Sequence, residues 1–174
     1  MGRFLNPDNS AFQVALNSEI YVDKTGLLEY TNRVMGTKQG YICNSRPRRF
    51  GKSITADMLT AYYSRGCSSR EMFEKLNIGK STDFLEHLNR YDVIHLDIQW
   101  FLANCEDKNK VVQFITKSVL DELCEIYPEC LVLQDGSLSD ALSRVKNQTG
   151  QKFVIIIDEW DVLIRVEAQN QAVQ

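Results

Sequence analysis

The chain has 174 residues, 44% of them hydrophobic, and a formal net charge of −3. This length and apolar content suffice for the core of one domain, and the net negative charge argues against general binding to nucleic acids or membrane surfaces. No apolar run approaches 18 residues and the first ten residues lack the apolar stretch of a signal peptide, so neither a transmembrane helix nor a signal peptide is predicted.

The cysteines predict reduced thiols. Their number is odd, none of them forms a C-x-x-C pair, and neither histidine completes a metal-binding pattern with them. A cytoplasmic location is therefore predicted. The five residues are Cys43, Cys67, Cys105, Cys124 and Cys130.

The N-terminal part is predicted to hold little regular structure. After an irregular start, the alternating residues 19–22 predict a short strand, and residues 27–34 predict a helix. Asp23 is interpreted as a cap of that helix and Lys24 as a surface charge.

The next stretch carries the main functional signal. A short apolar strand at 41–43, a loop, Gly51-Lys52-Ser53 and a helix at 54–63 form the phosphate-binding arrangement of P-loop nucleotide hydrolases (Walker A). Lys52 would reach the β/γ-phosphates as a catalytic residue, Ser53 would ligate Mg²⁺, and Gly51 lets backbone approach phosphate. The predicted cofactor-binding residues are Arg46, Pro47, Arg48, Arg49, Phe50, Gly51, Lys52, Ser53 and Ile54.

The loop departs from the full G-x-x-x-x-G-K-[ST] pattern, because Arg46 stands at the first glycine position. Pro47 partly compensates, since it restricts Arg46 to extended backbone. Arg48 and Arg49 add positive charge beside the expected phosphates.

A second Gly-Lys-Ser, at residues 79–81, acts as an internal control. Glu74 occupies its first-glycine position and no apolar strand precedes it. This copy is predicted not to bind phosphate, so the context of the motif separates the two.

The middle of the chain alternates helices and strands. Helices are predicted at 72–76, at 82–88, from 107–110 to just before Pro128, and at 139–145, with a strand at 93–98. Asp97 is either a satisfied carboxylate at the end of that strand or a residue that reaches the nucleotide site through water.

The second motif lies near the end of the chain. Residues 153–157 are apolar and predict a strand buried on both faces, which Asp158 and Glu159 follow at once. As a Walker B motif, Asp158 would hold Mg²⁺ and Glu159 would polarise the attacking water; alternatively both acids cap a turn. Strands alternating with helices predict an α/β fold with a mainly parallel sheet.

Three separated motifs together resemble the bacterial AAA-ATPase-like proteins: YVDKT (21–25), RPRRFGKS (46–53) and IDEWD (157–161). Members of that family similarly carry arginine at the first glycine position, whereas Trp160 replaces a more usual tyrosine. The resemblance implies a P-loop NTPase three-layer sandwich, ATP and Mg²⁺ as cofactors, and often a PD-(D/E)XK nuclease-like domain that follows the ATPase. It also gives the YVDKT segment an alternative role, packing against the nucleotide base or the P-loop.

The resemblance leaves three functions open. The first is Mg²⁺-dependent ATP hydrolysis, and the second is a nucleotide-sensing switch that binds ATP without significant hydrolysis and serves a nuclease-like partner domain. The third, a role in nucleic-acid processing, rests only on the family's nuclease-like domain. Glu159 favours the enzyme, because a module that only binds has no need of a water-orienting carboxylate.

The resemblance also predicts an incomplete core. Residues 1–37 would be a family-specific N-terminal segment and residues 38–174 a P-loop core cut off after Walker B. Related proteins place a later strand between the P-loop and Walker B strands, but only 17 residues follow Ile157. We therefore expect unpaired strand edges, marginal stability, self-association and ATPase activity near background for this stretch alone.

Overall fold

The computed structural model describes residues 2–45, 50–130 and 137–164. Within these ranges the chain forms two strands, β1 (Asp92–Asp97) and β2 (Phe153–Asp158), and two 3₁₀ helices, Asn77–Lys80 and Lys108–Lys110. The α-helices of the same ranges are α1 (Ser10–Leu16), α2 (Gly26–Val34), α3 (Lys52–Tyr63), α4 (Arg70–Phe73), α5 (Phe84–His87), α6 (Ile98–Asn104), α7 (Val111–Ile126) and α8 (Leu138–Thr149).

The strands form a parallel pair in which Asp92 lies opposite Phe153 and Asp97 lies opposite Asp158. On the other edge of β1, Leu5 makes an antiparallel bridge with Ile94. A parallel sheet with connecting helices agrees with the predicted α/β class.

Helices cover both faces of the sheet. Successive side chains of a strand point to opposite sides, so each strand contributes residues to both faces. Val93 and Ile156 pack with residues of α3 in one apolar cluster. Ile94 and Leu96 pack with residues of α6, α7 and α8 in the other. The core is thus divided into two clusters by the strands.

The predicted strand at 41–43 is wrong. These residues have no regular structure, and Tyr41 is 97% exposed. A three-residue segment has no stability as a strand without a neighbour, and among the described residues β2 pairs only with β1. The strand predicted at 19–22 is wrong for the same reason, and Ile20 and Val22 are exposed.

The prediction that residues 153–157 are buried on both faces is also wrong. Ile156 is buried beneath α3, but Ile155 and Ile157 on the opposite face are each about half exposed. The apolar cluster on that face is centred on Ile94 and Leu96 of β1, so it leaves the side chains of β2 partly uncovered.

Most predicted helices are confirmed, including the long one, which forms α7 with 16 residues. Helix α6 was not predicted, because Ile98 continues the apolar pattern of β1. The structure begins a helix there instead, and an oxygen of Asp97 accepts a hydrogen bond from the Trp100 N–H at 3.1 Å. Asp97 is therefore the N-cap that turns the strand into a helix.

A buried carboxylate ties the N-terminal segment to the sheet. Asp92 is fully buried and accepts hydrogen bonds from the Asn6 amide at 2.7 Å and the Tyr127 hydroxyl at 2.5 Å. Arg65 contributes an ion pair at 3.2 Å. Asn6 also exchanges backbone and side-chain hydrogen bonds with Val93, so the same residue extends the pairing at the edge of β1.

This network predicts the effect of removing the carboxylate. Asp92→Ala should lower the free energy of unfolding by about 2–4 kcal/mol, because each buried donor left without an acceptor costs about 1–3 kcal/mol. Urea unfolding of both proteins measures the loss. As a control, Lys110→Ala removes an exposed ion pair with Asp107 and should cost less than about 1 kcal/mol. Equal losses for the two variants would contradict the assigned role of Asp92.

Candidate functional site

The start of α3 is built around a glycine in a left-handed conformation. Gly51 is the N-cap of the helix, with φ 73° and ψ 38°, a region that favours residues without a Cβ. Its carbonyl accepts the Thr55 N–H at 3.1 Å and the hydroxyl of the buried Thr55 at 2.9 Å. The first turn is therefore fixed, and its leading N–H groups have no partner within the helix.

The residues predicted to bind phosphate occupy this turn. Ser53 and Ile54 are exposed, Lys52 is partly exposed, and Phe50 is 57% exposed just before the helix. An exposed helix N-terminus with a lysine and a serine in its first turn can bind an anion. The predicted contributions of residues 46–49 lie outside the described residues.

The segment 21–25 contacts the chain just before α3. The ammonium of Lys24 donates a hydrogen bond to the carbonyl of Phe50 at 2.8 Å. Asp23 accepts hydrogen bonds from the Thr25 N–H and hydroxyl and from the Asn77 N–H. Lys24 is therefore a partly exposed charge with a backbone partner just before α3, and the role of the segment beside a P-loop stays a prediction.

Asp158, the last residue of β2, and Glu159, the residue after it, lie at the carboxyl end of both strands. Asp158 is opposite Asp97 in the register. The N–H of Glu159 donates to a carboxylate oxygen of Asp158 at 2.9 Å. Glu159 itself has φ 54°, which is uncommon for a residue other than glycine, asparagine or aspartate.

A further carboxylate, Asp57 of α3, was not identified from the sequence and is affected by the charges at both strand ends. Burial, together with the negative charges of Asp158 and Asp97, raises the pKa of Asp57 to about 6. Asp57 follows Ser53 by four residues and so lies on the same side of α3. This i, i+4 spacing is the signal that could have identified it.

His95 provides the second link between α3 and the strands. Its Nδ1 lies 3.0 Å from the hydroxyl of Thr60 on α3. Burial lowers the pKa of His95, while Asp158 and Asp97 oppose that shift. The negative charges of Asp158 and Asp97 thus act to raise the pKa of both Asp57 and His95.

Within the described ranges, the carboxylates at the ends of the strands do not form a metal site by themselves. Among the described residues, no group of three or more His, Cys, Asp or Glu side chains is arranged to hold a metal ion. Mg²⁺ usually takes one or two protein carboxylates and completes its shell with phosphate oxygens and water. The negative field that Asp57 experiences from Asp158 and Asp97 suits a cation at this edge of the sheet.

The second Gly-Lys-Ser has a different structure. Gly79 and Lys80 belong to the four-residue 3₁₀ helix Asn77–Lys80, and Ile78 in its centre is buried. A Cβ on Gly79 would overlap the backbone of Glu74, so close packing accounts for this glycine. No long helix begins there, in agreement with its interpretation as an internal control.

Comparison with known proteins gives one match. A family model described as "Predicted AAA-ATPase" matches residues 10–174. No curated protein and no solved structure matches the chain. Within the described ranges, none of the helices combines the length and apolar character needed to cross a membrane.

The raised pKa of Asp57 predicts a pH-dependent effect of its removal. Since the pKa of Asp57 is about 6 in the folded protein and lower, at the ordinary value for an aspartate, in the unfolded chain, the charge on Asp57 destabilises the fold above pH 6, and protonation relieves this as the pH falls toward 4. Asp57→Asn should therefore increase the free energy of unfolding by about 1–2 kcal/mol at pH 8 and have little effect at pH 4.

Denaturant unfolding in metal-free buffer at both pH values tests this expectation. Asp121→Asn, at an exposed position of α7, is the matched control and should change the free energy of unfolding by less than about 0.5 kcal/mol, as surface substitutions usually do. A gain for Asp57→Asn that is the same at pH 4 and pH 8 would contradict the raised pKa.

Proposed function

Because the chain belongs to the predicted AAA-ATPase family, we propose that it binds Mg²⁺·ATP at the start of α3 and that the intact protein hydrolyses it. The observation that carries this proposal is Gly51. In its left-handed conformation it opens a 12-residue helix whose exposed first turn contains Lys52 and Ser53. The same helix packs against both strands, which end in Asp97 and Asp158.

In this proposal the start of α3 binds the polyphosphate. The N–H groups of the first turn, which have no acceptor within the helix, and the positive end of the helix dipole attract the phosphate oxygens. Lys52 adds a full positive charge, and a hydrogen bond between charged groups is stronger than one between neutral groups. Nucleotide binding then depends on one lysine and on backbone that Gly51 keeps accessible.

Ser53 and Asp158 are the residues that would hold Mg²⁺. When bound, the ion neutralises part of the phosphate charge. Asp97 and Asp57 add negative charge nearby but belong to different elements, so they would attract the ion without forming a protein-only site.

Glu159 is the proposed residue for orienting and polarising the attacking water. Its left-handed backbone supports this role, because backbone strain concentrates at functional sites. The hydrogen bond from its N–H to Asp158 links the two acids. The alternative function, a switch that binds ATP without significant hydrolysis, assigns no chemistry to Glu159, so this residue distinguishes the two functions.

The remaining expectations extend this proposal. The P-loop three-layer sandwich is supported by helices on both faces of the parallel strands. A cytoplasmic location is supported by five free cysteines. A nuclease-like domain as partner rests on the family resemblance alone, and self-association is supported by the half-exposed Ile155 and Ile157 of β2.

The phosphate role of Lys52 has a matched control within the chain. Lys52→Ala should weaken Mg²⁺·ATP binding by about 1–3 kcal/mol, the range for losing a charged hydrogen-bond partner. Lys80→Ala, in the second Gly-Lys-Ser, should leave the affinity unchanged. Calorimetric titration measures both, and unchanged affinity for Lys52→Ala would remove the P-loop assignment.

Replacing Glu159 separates the enzyme from the switch. Glu159→Gln removes the water-polarising carboxylate but leaves Asp158, so ATP should bind normally while turnover falls about 100-fold, a typical contribution of a positioned acid or base. Phosphate release by the intact protein measures the turnover. A variant as fast as the parent would exclude Glu159 from the mechanism and favour the switch.

A further inference from the structure

Lys24 holds the peptide group that precedes the proposed phosphate-binding turn. Its ammonium donates to the Phe50 carbonyl at 2.8 Å. The peptide bond between Phe50 and Gly51 is planar and trans, so its C=O and N–H point in opposite directions. A bond that fixes the Phe50 carbonyl therefore also fixes the direction of the Gly51 N–H.

Gly51 makes such a restraint useful. Glycine has few conformational restrictions, and a peptide next to it can rotate at little cost. Rotation of this peptide by about half a turn would direct the carbonyl oxygen of Phe50, instead of the Gly51 N–H, toward a bound anion. An oxygen facing phosphate repels it, whereas an N–H attracts it.

Lys24 is itself held by rigid neighbours on both sides. Asp23 accepts a hydrogen bond from the Asn77 N–H at 2.8 Å, and the hydroxyl of the fully buried Thr25 accepts one from the Ile78 N–H at 3.1 Å. Two consecutive N–H groups of the 3₁₀ helix Asn77–Lys80 thus fix the backbone that carries Lys24. The ammonium is attached to a rigid support.

The fit between lysine and glycine is close. A Cβ placed on Gly51 would lie 2.8 Å from the Lys24 nitrogen, closer than real Cβ contacts allow. The left-handed φ favours glycine at position 51, and a Cβ there would displace the Lys24 ammonium, the end of a flexible side chain, from its present position. The two residues form a matched pair across 26 intervening positions of the sequence.

We propose that Lys24 is a positioning residue for nucleotide binding, which orients the Phe50–Gly51 peptide so that the Gly51 N–H faces the polyphosphate. This inference rests on the proposed function. In this proposal Lys24 holds the peptide group before the phosphate-binding turn, and Asp23 and Thr25 fix the segment 21–25 to the 3₁₀ helix Asn77–Lys80.

Variants of Lys24 in the full chain test the proposal by titration with Mg²⁺·ATP and with inorganic triphosphate. Lys24→Met removes the donor but keeps the length of the side chain. The affinity for both ligands should fall about 10–100-fold, which corresponds to the loss of a hydrogen bond to a charged group. Lys24→Arg keeps a donor and should bind within a few-fold of the parent. Lys75→Met, at an exposed position, is the control and should bind normally.

A second measurement distinguishes positioning from general stabilisation. Gly51→Ala should itself reduce affinity, and adding Lys24→Met should reduce it little further, because both changes disturb the same peptide. If Lys24 only stabilises the fold, Lys24→Met lowers the melting temperature and the affinity losses of the two changes multiply. If Lys24→Met does not fold, Lys24→Ala, which also lacks a donor, replaces it in the same cycle with the same expected outcome.

The outcomes separate this inference from the proposed function. If Lys24→Met binds Mg²⁺·ATP as tightly as the parent protein while Lys52→Ala binds it weakly, the role of Lys24 is overturned and the phosphate site stands. If Lys52→Ala binds Mg²⁺·ATP as tightly as the parent protein, the phosphate site itself is overturned. Weakened binding by Lys24→Met, restored by Lys24→Arg and not additive with Gly51→Ala, supports the positioning role.

Discussion

The parallel pairing of β1 and β2 determines where the candidate site lies. Parallel strands that are aligned residue by residue end at the same edge, so Asp97 and Asp158 come together without any contact between their own side chains being required. Helix α3 then crosses the face formed by Val93 and Ile156. Its first turn is thereby brought to the edge that carries the two carboxylates.

Charge gives this edge its chemical character. The carboxylates of Asp97 and Asp158 raise the pKa of Asp57 and oppose the lowering of the His95 pKa, so their field extends to α3. The opposite polarity is available at the start of that helix, where Lys52 lies beside N–H groups that have no acceptor within the helix. A site with acidic residues on one side and a positive helix end on the other suits a ligand with both charges, as a metal–polyphosphate complex has.

The sequence predicted those parts of the site that depend on local pattern. The helix after Gly51 and the strand before Asp158 follow from periodicity and from turn chemistry, and both are present. The strand at 41–43 could not be decided locally, because a short apolar segment becomes a strand only when a neighbour pairs with it. Burial of Ile155 and Ile157 likewise depends on packing from elsewhere in the chain.

The roles of Lys24 and Asp57 could not be predicted from the sequence, for a different reason. Lys24 contacts a carbonyl 26 residues away, and no spacing rule connects the two. Asp57 was detectable in principle from its distance to Ser53, but its significance comes from Asp97 and Asp158, which reach it only through the tertiary fold. Local pattern thus identified the residues of the two motifs, whereas the contacts that orient and charge them required the structure.

Amide hydrogen exchange with and without Mg²⁺·ATP tests the central claim most directly, since it compares both Gly-Lys-Ser segments in one experiment. Binding at the start of α3 predicts slower exchange for the N–H groups of residues 51–55 when the nucleotide is present. Residues 77–81 should exchange at the same rate in both conditions. Protection at 77–81 in place of 51–55, or unchanged exchange at 51–55 under saturating nucleotide, would contradict the proposed site.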